Sequence, residues 1–510
     1  MSTKIKHLKL LSISILSLWI SACDEEINAS LSEEPILHSG SADVGTFVSI
    51  GDSLTAGYAD DALYQSSQKN SLSAILADQF SKVGGGDFIQ PMTDDNLGGL
   101  LINGQSQPDD YLTRLVLNEE TQNPERIEGT PTTEVITTNL SGQFNNMGVV
   151  GAKSFDLIDP GYGDPTGLFS TPATANPYFV RFASADNATI LGDAVSQQPS
   201  FFTLWIGNND ILSYATSGGV GVDQNETNNV DSFSYKHEDI THAAVFAQVY
   251  QGIVSELLES NSKGVLINIP DISTIPFFTT VPHNPIPLDE KLANFLNNDT
   301  AFAQYNNILL RALERGKISE DEALSRTIVF SSGPDNAVII EDENLTPLNI
   351  LNQAIPSIRQ ATSEDLLLLT TANKIGTLID NDPDKVWGVS VPLEDSDVLI
   401  PSEIDAIERA RTTYNATIKT ISESDDRLIF VSSSAVLEDL IDGIDYGTGS
   451  VDATYITGGA FSLDGAHLSA RGNAVLANRI IQAINMHFDA TIPIVDPNAY
   501  TTILVKGGRE

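Results

Sequence analysis

The chain has 510 residues, 41% of them hydrophobic and 19% charged, which is enough to bury one large core with insertions or two smaller cores. Its formal net charge is −41, from 68 acidic and 27 basic residues. A surface field of that sign repels nucleic acid and anionic lipid, so the composition excludes a nucleic-acid partner. A single cysteine excludes a framework of intramolecular disulfides.

Residues 1–22 predict an export signal. Three lysines form a positive leader, the stretch LKLLSISILSLWI is an apolar core too short to span a membrane comfortably, and ISAC brings small residues to Cys23. This arrangement resembles the lipobox of bacterial lipoproteins, in which the cysteine is lipidated and becomes the mature N-terminus. The alternative is a plain signal peptide whose cleavage leaves an idle thiol.

Residues 23–43 predict a flexible acidic tether, because they are rich in serine and acids and poor in large apolar side chains. Acidic residues directly after Cys23 also resemble the surface-export signals of Bacteroidetes lipoproteins. We therefore expect the protein to be exported and to be attached to the bacterial outer membrane by a lipid at its N-terminus. Its folded part is expected to be exposed at the cell surface.

The rest of the chain predicts an α/β fold. Five short runs are rich in β-branched and aromatic residues and show little alternation, which is typical of parallel strands covered on both faces. Helical patterns lie among these runs, and this favours a three-layer α/β/α sandwich with a doubly wound, mainly parallel five-stranded sheet. The expected strands are 46–50, 144–150, 201–206, 264–269 and 427–431, and the expected helices are 71–80, 239–260, 402–424 and 469–488.

The predicted sheet and its helices assign the core domain to residues 44–270 and 401–488, with residues 489–510 as a C-terminal tail. Between the two parts, residues 271–400 carry helical patterns of their own, including a long one over 291–316. We expect this insertion to form a cap or side lobe over the edge of the sheet where ligands bind.

The stretch GDSL follows the first predicted strand and places Ser53 at the carboxyl end of that strand. Small neighbouring residues permit a tight turn into a helix whose N-terminal amides face the serine. A serine hydroxyl is a weak nucleophile alone, so it needs a base for its proton and donors for the oxyanion that it creates. A capping serine is the alternative, and the presence of partners decides between the two interpretations.

Candidate partners follow other predicted elements. The stretch DGAH places Asp464 three residues before His467, so that the carboxylate can hold Nδ1–H of the imidazole while Nε2 points to a hydroxyl. The stretch WIGNND offers the amide of Asn209 after the third strand. The stretch MGVVGA contains Gly148 and Gly151, and we favour Gly151 as a backbone donor because it follows the end of the apolar strand.

The blocks GDSLTAGY, GVVGA, GNND and DGAH, in this order, resemble the SGNH subgroup of the GDSL-type lipases and esterases. The resemblance covers about 44–270 and 401–488 and does not include the insertion. It implies a flavodoxin-like SGNH hydrolase fold. The site that it implies has a catalytic triad of Ser53, Asp464 and His467 and an oxyanion hole of Ser53, Gly151 and Asn209.

The function implied by the resemblance is that of a serine ester hydrolase with an acyl-enzyme intermediate, acting on a small-molecule, glycan or lipid ester without a metal or organic cofactor. Two alternatives use the same fold. One is a surface binding or adhesion lipoprotein that has lost catalysis, and the other is an acyltransferase that passes the acyl group to a hydroxyl other than water.

Several further residues receive plainer interpretations. Asp52 is expected to brace the turn around the serine, and Asp210 to cap the helix after the third strand. We expect Trp205 to be a core strand residue and His237 and His242 to be surface or packing residues. The absence of an H-E-x-x-H motif and of a second cysteine argues against a zinc site.

Overall fold

A computed structural model of the chain describes residues 36–107, 111–350, 353–447 and 449–507. The expected export signal, Cys23 and most of the expected tether lie outside these residues. The residues from Leu37 onward cluster as one unit. None of the helices described is both long enough and apolar enough to cross a bilayer.

A five-stranded, all-parallel sheet forms the centre of the chain, and its strands pair in the order β5-β4-β3-β1-β2. All five predicted strands are present, with ends that differ from the predictions by a few residues. The residues of β1 and β3 are buried along their whole length, which explains their unbroken apolar runs. The bounds are Phe47–Gly51 for β1, Asn146–Gly148 for β2, Phe201–Trp205 for β3, Lys263–Ile267 for β4 and Leu428–Val431 for β5.

The register of the sheet brings the ends of three strands together. Gly51, the last residue of β1, pairs with Gly148 of β2 on one side and with Trp205 of β3 on the other. Because the strands are parallel, the loops that follow them leave the sheet at the same edge. The segments that contain Ser53, Gly151 and Asn209 are these loops.

Seven helices belong to the core, and four of them, α2, α4, α5 and α7, match the helices predicted from the sequence. Helices α2 and α7 pack against each other, and α4 and α3 each pack against α5. The Ser469 hydroxyl begins α7 by accepting the N–H of Gly472, as expected for an N-cap. The bounds are Ser53–Ala56 for α1, Leu72–Ser81 for α2, Asn209–Thr216 for α3, Ala243–Glu259 for α4, Pro401–Glu423 for α5, Ser433–Asp442 for α6 and Ala470–Phe488 for α7.

Shorter elements surround this core. The other α-helices described are Gln65–Lys69, Pro177–Val180, Ile190–Val195, Gln224–Thr227, Pro276–Thr279, Glu290–Leu296, Phe302–Glu314 and Glu320–Ser325. Short strands pair two by two: Leu101–Ile102 with Gln105–Ser106, Leu115–Asn118 with Asn123–Arg126, Ile286–Leu288 with Gly333–Asn336, Ile339–Glu341 with Ile358–Gln360, Leu348–Ile350 with Gln353–Ile355, Leu366–Leu367 with Val398–Leu399, and Ile444–Asp445 with Ser450–Val451.

The insertion has a hydrophobic cluster of its own, drawn from residues between Ile286 and Ile400. The long helix expected over 291–316 is two helices, because residues 297–301 interrupt it. The side chain of Asn297 exchanges two hydrogen bonds with the backbone of Phe330, and the side chain of Asn298 accepts the N–H of Thr300. Such bonds from asparagine side chains compete with helix formation.

The two ends of the described chain are more ordered than the sequence suggests. The tether was expected to extend to residue 43, but the N–H of Ser41 donates to the carbonyl of Phe488 and Ala42 is 1% exposed. In the C-terminal tail, the carbonyl of Leu504 accepts the N–H of Leu117 and thereby joins the tail to the hairpin over 115–126. Backbone hydrogen bonds cause both differences, and the pattern of side chains in the sequence does not reveal such bonds.

Candidate active site

The turn between β1 and α1 holds Ser53 in a fixed position. A Cβ on Gly51 would lie 2.2 Å from the carbonyl oxygen of Trp205, so only glycine fits beside β3. Asp52 caps α1, with Oδ1 accepting the N–H of Leu54 at 3.0 Å, and this is the bracing role expected for it. Ser53 is the first residue of α1, so its own N–H has no partner within the helix.

Three side chains that the sequence predicts as a catalytic triad lie in contact. Nε2 of His467 is 2.8 Å from Oγ of Ser53, and Nδ1 of His467 is 3.1 Å from Oδ2 of Asp464. Ser53 and His467 are 414 positions apart in the chain. With its proton on Nδ1, the imidazole donates to the carboxylate and accepts the hydroxyl proton of the serine.

The carboxylate of Asp464 accepts four hydrogen bonds. Oδ1 accepts the N–H groups of Ala466 and His467, each at 2.8 Å, and Oδ2 accepts Nδ1–H of His467 and the N–H of Asp61 at 3.0 Å. Burial raises the pKa of this carboxyl, but His467 and the backbone donors outweigh burial and lower its pKa to about 2. Asp464 is therefore ionised at neutral pH.

The environment of His467 makes its imidazole a stronger base. Burial lowers the pKa of His467, but the charge and hydrogen bond of Asp464 raise it by more, so that it lies above the usual 6.5. The ring of Tyr58 also covers the imidazole, with 4.8 Å between the ring centroids. The hydroxyl of Tyr58 donates to Oδ1 of Asp61 at 3.2 Å, so the ring is held in place.

A tight turn over Ala59–Ala62 holds the loop that contains His467 against the segment that contains Ser53. Asp60 and Asp61 have φ values of 53° and 59°, as in the two-residue turns that close right-twisted hairpins. The N–H of Asp60 donates to Oγ of Ser462, and Oδ1 of Asp60 accepts the N–H of Leu463 at 2.9 Å. The loop before Asp464 is thus held by a turn that begins six residues after Ser53.

The structure separates the roles of the two candidate glycines. The N–H of Gly148 donates to Oδ1 of Asn146 at 3.0 Å, and a Cβ on Gly148 would lie 2.3 Å from the backbone nitrogen of Ala56. Gly151 has φ of 80°, and its N–H has no hydrogen-bond partner in the described part of the chain. Among the described residues other than its chain neighbours, only His237 has an atom within 4 Å of a Cβ built there. Gly151 can therefore offer its N–H to a ligand, whereas Gly148 serves packing.

Two adjacent asparagines, Asn208 and Asn209, make different contacts at the start of α3. Nδ2 of Asn209 donates to the carbonyl of Ala152 at 3.0 Å, which brings this amide beside Gly151 and leaves it a second N–H. Nδ2 of Asn208 donates to Oδ2 of Asp52 at 2.9 Å. Sequence reasoning missed Asn208, although the doubled asparagine in GNND could have drawn attention to it.

Burial raises the pKa of Asp52 to about 6, and the hydrogen bond from Asn208 opposes this rise. Oδ1 of Asn208 is buried without a hydrogen-bond partner among the described residues. The contact between Asn208 and Asp52 therefore fixes the turn before the serine by satisfying an acid that water does not reach.

The expectation that Asp210 caps α3 is wrong, because Asn208 occupies the N-cap position and Asp210 is the second residue of the helix. The carboxylate of Asp210 accepts the N–H and the hydroxyl of Ser154, at 2.8 and 2.7 Å. This pair joins the loop after β2 to the start of α3. It thus fixes Gly151 and Asn209 relative to each other.

An apolar pocket opens beside the serine and the imidazole. Trp205 is buried in β3, as expected for a core residue, and it also lines this pocket. Its Nε1–H donates to the carbonyl of Asn268 at 3.1 Å, which sets the angle of the indole. Other lining residues include Ile275, Val436, Leu440, Phe461 and Leu468.

One group of acids in the described residues has the spacing of metal ligands. Carboxylate oxygens of Glu343, Asp395 and Glu403 lie within 4.8 Å of one another. Burial, followed by the repulsion of neighbouring acids, raises the pKa of Glu403 to about 8 and that of Asp395 to about 6. Protonation relieves this repulsion as readily as a cation would, and none of these residues lines the pocket at Ser53.

The chain was compared with models of protein families, with curated proteins and with solved structures, and none of them matches it. The assignment of a function therefore depends on the motifs and on the geometry described above.

Proposed function

We propose that the chain is a serine ester hydrolase of the SGNH group of GDSL-type esterases. The observation that carries this proposal is the continuous set of contacts from Oγ of Ser53 through His467 to Asp464, at 2.8 and 3.1 Å. A buried serine at a helix start, an imidazole made more basic by an ionised acid, and nearby N–H donors are the parts that acyl transfer needs.

In the acylation step, Oγ of Ser53 forms a bond to the ester carbonyl carbon while Nε2 of His467 takes the hydroxyl proton. The carbonyl oxygen becomes an oxyanion, which the N–H groups of Ser53 and Gly151 and the Asn209 amide would stabilise. The bond from carbon to the leaving oxygen then breaks, and His467 gives its proton to the departing alcohol. Asp464 holds the tautomer and stabilises the imidazolium.

In the deacylation step, water replaces the alcohol. His467 takes a proton from the water as its oxygen attacks the acyl carbon, and a second tetrahedral oxyanion forms in the same place. The bond from that carbon to Oγ of Ser53 breaks, the serine regains its proton from His467, and the acid leaves. These steps need no metal or organic cofactor.

We also propose that the sheet is the middle layer of a three-layer α/β/α sandwich of the flavodoxin-like SGNH type. The strand order β2-β1-β3-β4-β5 supports this, because the direction of the connections reverses between β1 and β3, where such sheets bind ligands. The contacts between α2 and α7, and those of α5 with α3 and α4, support two separate outer layers.

The test is hydrolysis of nitrophenyl esters by the purified protein and by Ser53→Ala. We expect activity in the natural protein, a loss of at least about 10³-fold in Ser53→Ala, and no loss in the control Ser66→Ala. Ser66 is a fair control because its hydroxyl has no hydrogen-bond partner in the residues described. A fluorophosphonate should add mass to the protein only when Ser53 is present.

Hydrolysis that survives in Ser53→Ala would contradict the proposed nucleophile. A protein that neither hydrolyses any ester nor reacts with the fluorophosphonate would favour a binding lipoprotein instead.

A further inference from the structure

The pocket beside Ser53 and His467 has a wall built from one face of α6. Ser433, Val436, Leu437 and Leu440 all line it, and the spacing of three, four and seven residues places them on one side of the helix. The pocket therefore extends along α6 for about 10 Å, at about 1.5 Å per residue.

The walls are almost entirely hydrocarbon. None of the described residues that line the pocket carries a carboxylate, an ammonium or a guanidinium group. The hydroxyl of Ser433 already has a hydrogen-bond acceptor, because it donates to the carbonyl of Asn268 at 2.6 Å. A charged group that entered here would lose its water and find no charged partner, whereas an alkyl chain would lose only unfavourable contact with water.

The length of the α6 wall limits the length of such a chain. An extended alkyl chain advances about 1.3 Å per carbon for bonds of about 1.5 Å, so a wall of about 10 Å accommodates about eight carbons.

We propose that this pocket binds the acyl part of the substrate and selects unbranched aliphatic acyl groups of about four to eight carbons. This inference rests on the proposed function, since it takes Ser53 as the point at which the acyl carbon is attacked. It identifies the substrates as esters of short to medium fatty acids. It excludes acetylated glycans and esters of charged acids as the preferred class.

The experiment is a series of nitrophenyl esters from acetate to palmitate, with kcat/KM measured for each. Each methylene that enters the pocket should raise kcat/KM about fourfold. Hexanoate should therefore exceed acetate by about 10²-fold, and kcat/KM should stop rising at about eight carbons and fall for laurate and palmitate. A succinate ester should be hydrolysed more slowly than a butyrate ester.

Two variants of α6 test the location. Leu440→Phe adds bulk to the wall and should lower the ratio of hexanoate to acetate activity about tenfold. The matched control is Ile441→Phe, on the next residue, which is 50% exposed and does not line the pocket. If Leu440→Phe does not fold, Leu437→Phe and the series on the unmodified protein provide the same test.

The outcomes separate this inference from the proposed function. Hydrolysis that depends on Ser53 but stays constant or declines from acetate to hexanoate would overturn the acyl pocket and leave the hydrolase intact. An equal shift in Leu440→Phe and Ile441→Phe would overturn the location. Failure to hydrolyse or to label at all would remove both proposals.

Discussion

The backbone N–H of Asp61 donates a hydrogen bond of 3.0 Å to the same oxygen of Asp464 that holds the imidazole of His467. Asp61 also forms an ion pair with Arg126, at the end of the hairpin over 115–126. Asp464, the acid of the proposed triad, is therefore held by the segment that contains Ser53 as well as by its own loop.

Asp464→Asn should lower kcat by about 10²- to 10⁴-fold, because the amide cannot hold the tautomer or balance the imidazolium. The variant also tests the pKa of His467, which Asp464 raises above its usual value. Activity requires the neutral imidazole, so kcat/KM rises with pH through this pKa. The rise should lie above pH 6.5 in the natural protein and at lower pH in the variant, and an unchanged profile would contradict the assignment.

Asn209→Ala should lower kcat by about 10²- to 10³-fold with little change in KM, because it removes a donor that acts on the oxyanion. Asn208→Ala is the matched comparison on the preceding residue. It leaves the buried Asp52 without its amide donor and should lower the free energy of unfolding by about 1–3 kcal/mol. Steady-state kinetics and urea unfolding of both variants check the division, and the reverse pattern would exchange their roles.

Asp60→Ala should reduce both activity and stability. Asp60 accepts the N–H of Leu463 and the hydroxyl of Tyr64, at 2.9 and 2.5 Å, and both donors would lose a buried partner. The expected loss is about 1–3 kcal/mol in the free energy of unfolding, and about 10-fold or more in kcat from displacement of the Asp464 loop. Asp60→Asn keeps one acceptor and should recover part of both, which a purely electrostatic role of Asp60 would not allow.

Glu403→Gln should change how stability depends on pH. Burial and the acids around it raise the pKa of Glu403 to about 8. Between pH 4.5 and 8 the folded state therefore binds more protons than the unfolded state, and stability falls as pH rises through this window. Glutamine keeps an acceptor for the N–H of Ile400 and removes the titration, so Tm of the variant should fall less between pH 5 and 8. Parallel Tm curves would contradict the raised pKa.

Cys23→Ala should move the protein from the membrane fraction to the soluble exported fraction, if Cys23 carries the lipid that we propose. Fractionation of expressing cells and detection of the protein by antibody check this. Continued sedimentation of the variant with membranes would contradict the lipid anchor. A mass of the detergent-extracted natural protein equal to that of the unlipidated chain would also contradict the lipid anchor.

The parts of the fold that the sequence predicts are those with a repeated local pattern. The strand over Phe201–Trp205 and the helix over Ala470–Phe488 follow from unbroken apolar runs and from helical spacing. No local pattern encodes contacts between distant segments. Three features depend on such contacts: the hydrogen bond between Asn208 and Asp52, the position of Asp210 and the pocket at Trp205. The break after Leu296 depends on a side-chain bond to Phe330, which sequence spacing does not reveal.

The separation of 414 residues between Ser53 and His467 has a consequence for biosynthesis. Ser53 leaves the ribosome early, but His467 follows only after more than nine-tenths of the chain has been translated. A nascent or truncated polypeptide that ends before residue 467 has Ser53 without the imidazole that we propose as its base. Under the proposed function, such a polypeptide cannot hydrolyse the esters of the cell that makes it.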